Sequence, residues 1–129
     1  MFADMVRIVH GISQGGAREL LREHDLTPAQ YQVLRFVHGR PGCQQQEVSN
    51  ALGTTRGNVS MLVTRMEGAG YLDRVPDGAS SRLRLTPAGE KMLRILRPAH
   101  SAYLADQFAV LDDEQLRALA ATLRALDTR

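Results

Sequence analysis

Thr55-Arg56-Gly57-Asn58-Val59-Ser60-Met61-Leu62-Val63-Thr64-Arg65-Met66-Glu67-Gly68-Ala69 is the stretch that decides how the rest of this chain is read. Val59, Leu62, Val63 and Met66 fall at i, i+3, i+4 and i+7, so the stretch predicts a helix with one apolar face turned inward. Thr55, Arg56, Asn58, Ser60, Met61, Thr64 and Arg65 are left on the outer face. A merely solvated face normally carries Glu and Lys in mixed order. This one holds no acid before Glu67 and is built largely from small hydroxyls, an amide and two arginines. Such residues can enter a major groove and contact base edges and phosphates without repelling them.

The neighbouring segments fit the same reading. A short helix is expected from Gln45 to Leu52 with Val48, Ala51 and Leu52 inward, and Gly53-Thr54-Thr55 makes the turn, with Thr55 as cap. Two short helices joined by a tight Gly-containing turn form a helix-turn-helix unit. Upstream, Leu26-Thr27-Pro28-Ala29-Gln30-Tyr31 starts another helix: Thr27 caps, Pro28 suits the first position and Gln30 completes a capping box. It stops at Gly39-Arg40-Pro41-Gly42.

Downstream of Gly70, Tyr71–Val75 and Ser81–Leu85 read as two strands around Pro76-Asp77-Gly78-Ala79-Ser80, a two-stranded wing. Leu83 and Leu85 alternate with Arg82 and Arg84, which places both arginines on one face, with Arg74 on the partner strand. A charged, solvated edge strand would show the same alternation.

Thr86-Pro87 opens a helix with Met92, Leu93 and Leu96 inward, which Pro98 is expected to bend or break. Asp112 and Gln115 box the start of a last helix, where Leu116, Leu119, Leu123 and Leu126 recur at alternating spacings of three and four. Two heptads are too few to stand alone, so this seam packs on something, either a core within the chain or a second copy. At the other end Phe2, Met5, Val6, Val9 and Ile12 keep helical spacing up to a break or kink at Gly15 and Gly16.

Composition bounds the function classes. The 129 residues, 43% hydrophobic and 23% charged, suit one globular domain over 1–129. The net charge is only +2, but residues 26–97 hold nine arginines and Lys91 against five acids, while both flanks are acidic. Basic excess therefore surrounds the candidate reading helix, as phosphate binding requires. No secretory signal and no membrane span is apparent, and a cytoplasmic protein is expected. A lone cysteine, Cys43, excludes an internal disulfide and reads as a small buried hydrophobe rather than a redox sensor. His10, His24, His38 and His100 have no metal-ligand spacing, and neither metal nor cofactor is expected. Gly11-Ile12-Ser13-Gln14-Gly15 matches the G-x-S-x-G nucleophile elbow, but it lacks the parallel sheet and the downstream acid and histidine that an elbow needs. A serine hydrolase using Ser13 is the weaker rival; the expectation is a protein that is not an enzyme.

The order of these segments resembles the MarR family of winged helix-turn-helix transcriptional regulators over nearly the whole chain. The resemblance is carried by Leu-Thr-Pro-Ala-Gln-Tyr-Gln-Val-Leu at 26–34, Gln-Glu-Val-Ser-Asn-Ala-Leu-Gly at 46–53, Asn-Val-Ser-Met-Leu-Val-Thr-Arg-Met-Glu at 58–67, Gly-Tyr-Leu at 70–72 and Leu-Thr-Pro-Ala-Gly at 85–89. It implies a mainly α fold with a small two-stranded β wing. The winged helix-turn-helix core would occupy residues 26–90, with dimerisation helices in 1–25 and 91–129. It further implies a homodimer held through residues such as Phe2, Met5, Val9, Leu116, Leu119, Leu123 and Leu126, binding a palindromic double-stranded DNA site.

Carried onto this sequence, the resemblance makes the outer face of the 55–69 helix the groove-facing set. Gln45 and Gln46 then touch backbone, and Arg74, Arg82 and Arg84 act from the wing. It also implies repression, relieved when a small, often aromatic or phenolic, ligand binds near Tyr31, Phe36 and Tyr103, although these three read as core from their own spacing. The wing is shorter than is usual for the family, and the alternative reading is a winged protein-interaction module without specific DNA reading.

Overall fold

The computed structural model describes residues 1–14 and 21–128. Among these the elements run in the order α1 (Phe2–Gln14), α2 (Pro28–Gly39), β1 (Cys43–Gln44), α3 (Gln45–Leu52), α4 (Arg56–Gly68), β2 (Leu72–Asp77), β3 (Ser80–Leu85), α5 (Pro87–Gln107) and α6 (Asp113–Asp127). The fold is the expected mainly α winged helix-turn-helix. The expected glycine break at Gly15 and Gly16 lies outside the described residues.

The caps form where the sequence places them. Thr27 Oγ1 accepts the Gln30 N–H at 3.2 Å while Gln30 Oε1 accepts the Thr27 N–H at 2.9 Å. Asp112 and Gln115 make the same reciprocal pair at the start of α6, and the Thr55 and Thr86 hydroxyls cap α4 and α5. Each such cap contributes about 1 kcal/mol by satisfying helix N–H groups that have no partner in the first turn.

The core gathers on α2. Tyr31, Val33, Leu34 and Val37 meet Val48 of α3, Val59, Val63 and Met66 of α4, Leu72 and Leu83 of the sheet, and Leu93 and Leu96 of α5, all at least 99% buried. Burying each of these side chains is worth roughly 1.5–3 kcal/mol, which makes this cluster the main stabiliser of the fold.

Three features depart from the sequence expectation. The sheet has three strands in the order β1-β3-β2, because Cys43 and Gln44 pair with Leu83 and Arg82. Gly42, at φ +83°, turns the chain so that its N–H donates to the Leu83 carbonyl at 2.8 Å. Two residues are too short to show alternation, so this strand has no sequence signature. The hairpin is also tighter than expected: β2 and β3 pair from Leu72↔Leu85 to Asp77↔Ser80, leaving Gly78-Ala79 as the turn, with Gly78 at φ +62°. Pro76 is tolerated within β2 because that strand lies at the sheet edge. Finally, α5 runs unbroken through Pro98. The helix loses one internal hydrogen bond there, but Leu93, Leu96 and His100 continue its buried face across the proline.

Residues 2–14 form one helix, including the stretch Val6–Val9 and the backbone of Ser13, so the segment leading into the elbow-like match is helical and not a strand, while Gly15 lies outside the described residues. The terminal helices leave their apolar residues uncovered. Phe2 is 77% and Val9 63% exposed, and α6 has no buried residue, with Leu123 55% and Leu126 51% exposed. The leucine seam therefore does not close on the core of its own chain.

Candidate nucleic-acid interface

Both helices of the helix-turn-helix are anchored by small buried residues, which frees the rest of their surface. On α3, Val48 is fully buried and Ser49 nearly so, with its hydroxyl donating to the Gln46 carbonyl at 3.0 Å. Ala51 is exposed rather than inward and Leu52 only half-buried, because α3 ends at Gly53, whose left-handed conformation (φ +66°) turns the chain toward α4. On α4, Val59, Val63 and Met66 are buried and Leu62 packs partly against the same core.

The outer face of α4 is the one expected. Arg56, Asn58, Met61, Thr64 and Arg65 are exposed, Ser60 is half-buried, and Thr55 caps the helix from its exposed N-cap position. Its side chains are not equally free. Asn58 Nδ2 donates to Thr54 Oγ1 at 2.9 Å, which holds the amide beside the turn. Thr54 is absent from the sequence candidates; a Thr four residues before Asn58 is the signal that could have found it. Arg56 and Arg65 make no ion pair or side-chain hydrogen bond among the described residues, so both guanidinium groups are available to an external anion.

A groove of about 480 Å3 separates the start of α3 and α4 from the wing. It is lined by Gln44, Gln45, Gln46, Arg56 and Arg74 and by the wing-tip residues Pro76, Ala79, Ser80 and Ser81. The structure thus brings Gln45, Gln46, Arg56 and Arg74 to one concave surface, while Arg65 lies outside it. Gln46 Nε2 donates within α3, to Asn50 Oδ1 at 2.8 Å and Ser49 Oγ at 3.2 Å. Gln44 is likewise absent from the sequence candidates. It pairs through its backbone with β3 and its Nε2 donates to Ser80 Oγ at 3.3 Å, which ties the base of the groove to the wing tip.

The three wing arginines occupy different environments. Arg84 is exposed and makes no ion pair or hydrogen bond among the described residues. Arg82, on the same face, is held at two points: Nε donates to Asp77 Oδ2 at 2.7 Å and Nη1 to the Gly42 carbonyl at 3.0 Å. Arg74 turns away from solvent toward α4, where Nη2 donates to the Ser60 carbonyl at 3.1 Å and to Thr64 Oγ1 at 2.8 Å.

Other candidate chemistry resolves into packing. Cys43 is 4% exposed in the core, and burial, with the nearby Glu47 carboxylate, pushes its thiol pKa up, away from the reactive thiolate. His38 Nδ1 lies 2.8 Å from Glu90 Oε2, and the His100 ring packs at a tilt of 54° against that of Tyr31. No three metal-binding side chains converge, and no helix is long and apolar enough to cross a membrane, among the described residues.

The chain matches known proteins along most of its length. A family model described as the MarR family matches residues 24–83. An uncharacterised HTH-type transcriptional regulator of Bacillus cereus is 32% identical over 104 residues, spanning 80% of this chain and 71% of that protein. Among solved structures, the PcaV transcriptional regulator of Streptomyces coelicolor, in complex with its natural ligand, is 27% identical, with a TM-score of 0.72 over 87% of this chain and 89% of its own. The MepR–DNA complex of S. aureus superposes with a TM-score of 0.84 over 99% of this chain and 95% of MepR, at 20% identity.

Proposed function

Since the chain belongs to the MarR family of winged helix-turn-helix transcriptional regulators, we propose that it is a sequence-specific double-stranded DNA-binding regulator that acts as a homodimer on a palindromic site. One observation carries this reading: from Thr55 to Arg65 the exposed face of α4 contains no acid, and it borders a groove lined by Arg56 of α4 and, on the wing side, by Arg74, whose charge turns onto α4. Anions and base-edge acceptors meet no repulsion along that surface.

In this account α4 enters the major groove, with Asn58, Ser60, Met61 and Thr64 toward base edges and Arg56 and Arg65 toward flanking phosphates. Thr55, Gln45 and Gln46 approach the backbone from the two helix starts. Arg84, with Arg82 beside it, grips the flanking backbone from the wing. That MepR, of the same fold, forms a complex with DNA supports DNA binding by such a fold. A homodimer is supported by the uncovered Phe2, Met5 and Val9 on α1 and Leu116, Leu119, Leu123 and Leu126 on α6, because a second copy would bury both apolar faces.

Repression relieved by a small aromatic ligand extends the reading. The support is that the similar PcaV binds a natural ligand. Cytoplasmic location, where the chromosome lies, and the absence of catalysis go with the same role.

Selection of duplexes from a random library by the purified protein at near-physiological salt tests the proposal. Two inverted half-sites about one helical turn apart are expected. Weak, sequence-blind binding would favour a protein-interaction module instead, a reading to which the engagement of Arg82 with Asp77 lends some weight.

A further inference from the structure

We infer that Arg74 is a positioning residue and not a phosphate contact: it ties the wing to the recognition helix and commits the Thr64 hydroxyl to donate into the groove, making Thr64 the reader of a base-edge acceptor. The inference rests on the DNA-reading proposal for its second half only.

The geometry assigns the first half. Arg74 sits on β2, opposite the buried Leu83, and its side chain crosses to α4 with 27% of its surface exposed. Nη2 carries two N–H groups, and its two partners, the Ser60 carbonyl at 3.1 Å and Thr64 Oγ1 at 2.8 Å, both belong to α4. Nε is shut off from solvent and lies 3.8 Å from Glu67 Oε1 on the next turn of the same helix. A guanidinium that grips phosphate presents its fork outward. This one presents it to one helix face spanning Ser60, Thr64 and Glu67, and so fixes the angle between wing and helix.

The second half follows from the hydroxyl's inventory. A threonine hydroxyl has one proton and two lone pairs. On a helix that proton commonly goes to the carbonyl four residues back, as Thr122 Oγ1 does on α6, bonding the Ala118 carbonyl at 2.9 Å. For Thr64 the corresponding carbonyl is that of Ser60, which receives Arg74, and Thr64 Oγ1 makes no donor bond among the described residues. Its proton is therefore free to leave the helix surface. Accepting from a cation polarises the oxygen and strengthens that proton as a donor. The partner chemistry is an acceptor in the major groove: guanine O6 or N7, adenine N7, or thymine O4. Cytosine offers only its N4 donor there and gives the Thr64 proton no acceptor, so it is the disfavoured base.

Two measurements test the inference. Without DNA, Arg74→Gln should raise amide hydrogen exchange in the β2–β3 hairpin about tenfold while the α2 core amides stay protected; unchanged hairpin exchange would overturn the positioning role. With the duplex selected by the wild-type protein, binding is compared across all four bases at each half-site position and several salt concentrations. Thr64→Val and Arg74→Gln should each lose discrimination against cytosine at the same single position and bind the preferred duplex about tenfold more weakly. The double variant should be no weaker than either, and Thr64→Ser should keep the preference. The slope of log affinity against log salt should not change. A slope shallower by about one unit in Arg74→Gln, with base preference intact, would make Arg74 a phosphate contact after all. If wild type prefers no duplex, DNA reading itself fails, before any variant is compared, and Thr64 as a base reader is overturned with it.

Discussion

Gly89, in the first turn of α5, presses on Tyr71 so closely that a methyl group added at Gly89 would overlap the Tyr71 carbonyl oxygen. That oxygen also accepts the Thr86 N–H at 3.1 Å, so it is tied down and cannot step aside. Ala is favoured over Gly in a helix by about 1 kcal/mol, while forcing an atom against fixed backbone costs roughly 1–3 kcal/mol or more. The steric term wins. Gly89→Ala should lower unfolding stability by about 2 kcal/mol in urea titration; equal or greater stability would show that α5 can slide on the wing without cost.

Much of this was legible in the sequence, and the limits have physical causes. Thr27, Thr55, Thr86 and Asp112 announce their helices because capping is local chemistry, written within four residues. The buried face of α4 is legible for the same reason, since 3.6-residue periodicity needs no tertiary information. Strand β1 and the continuation of α5 through Pro98 depend on partners distant in the chain, namely Leu83 and the core beneath Leu96 and His100. The wing arginines show the limit most clearly: alternation put Arg82 and Arg84 on one face, but that Arg74 turns onto Thr64 and that Arg82 is spent on Asp77 are three-dimensional facts.

His100 gives the fold a pH dependence of defined sign. Its ring lies 4.6 Å from that of Tyr31 and is 91% buried, and burial, followed by the positive charge of Arg35, lowers its pKa below the ordinary 6.5. Unfolding releases the imidazole to bind a proton more readily than it does in the fold. The stabilisation is therefore complete above about pH 6.5 and is lost as pH falls from there through the depressed folded value. Replacing His100 with Phe should flatten the stability curve across that acidic window; an unchanged slope would mean that other groups dominate it.

The wing makes a prediction that separates its two exposed arginines. Arg84 has no partner among the described residues, whereas Arg82 shares its charge with Asp77 at 2.7 Å. Arg84→Ala should weaken binding to all duplexes and make the logarithmic salt slope shallower by about one unit, and Arg82→Ala should change it less. Equal, full-unit effects would show that the Asp77 pair opens on DNA.

The exposed seam on α6 predicts assembly. Leu123 and Leu126 are more than half exposed in the single chain, so wild-type protein should sediment as a dimer and Leu123→Glu as a folded monomer. A monomeric wild type at micromolar concentration would remove the second copy from the account and leave the two apolar faces for another partner.

The central claim is that the acid-free face of α4 reads a base sequence. Its most direct measurement is the ratio of affinities for the selected duplex and a scrambled duplex of equal length and composition, at one physiological salt concentration. A ratio of about a thousandfold or more, reduced when Asn58 or Thr64 is replaced, is the predicted result. Equal affinities for the two duplexes would contradict it and leave a winged fold that attracts DNA by charge alone.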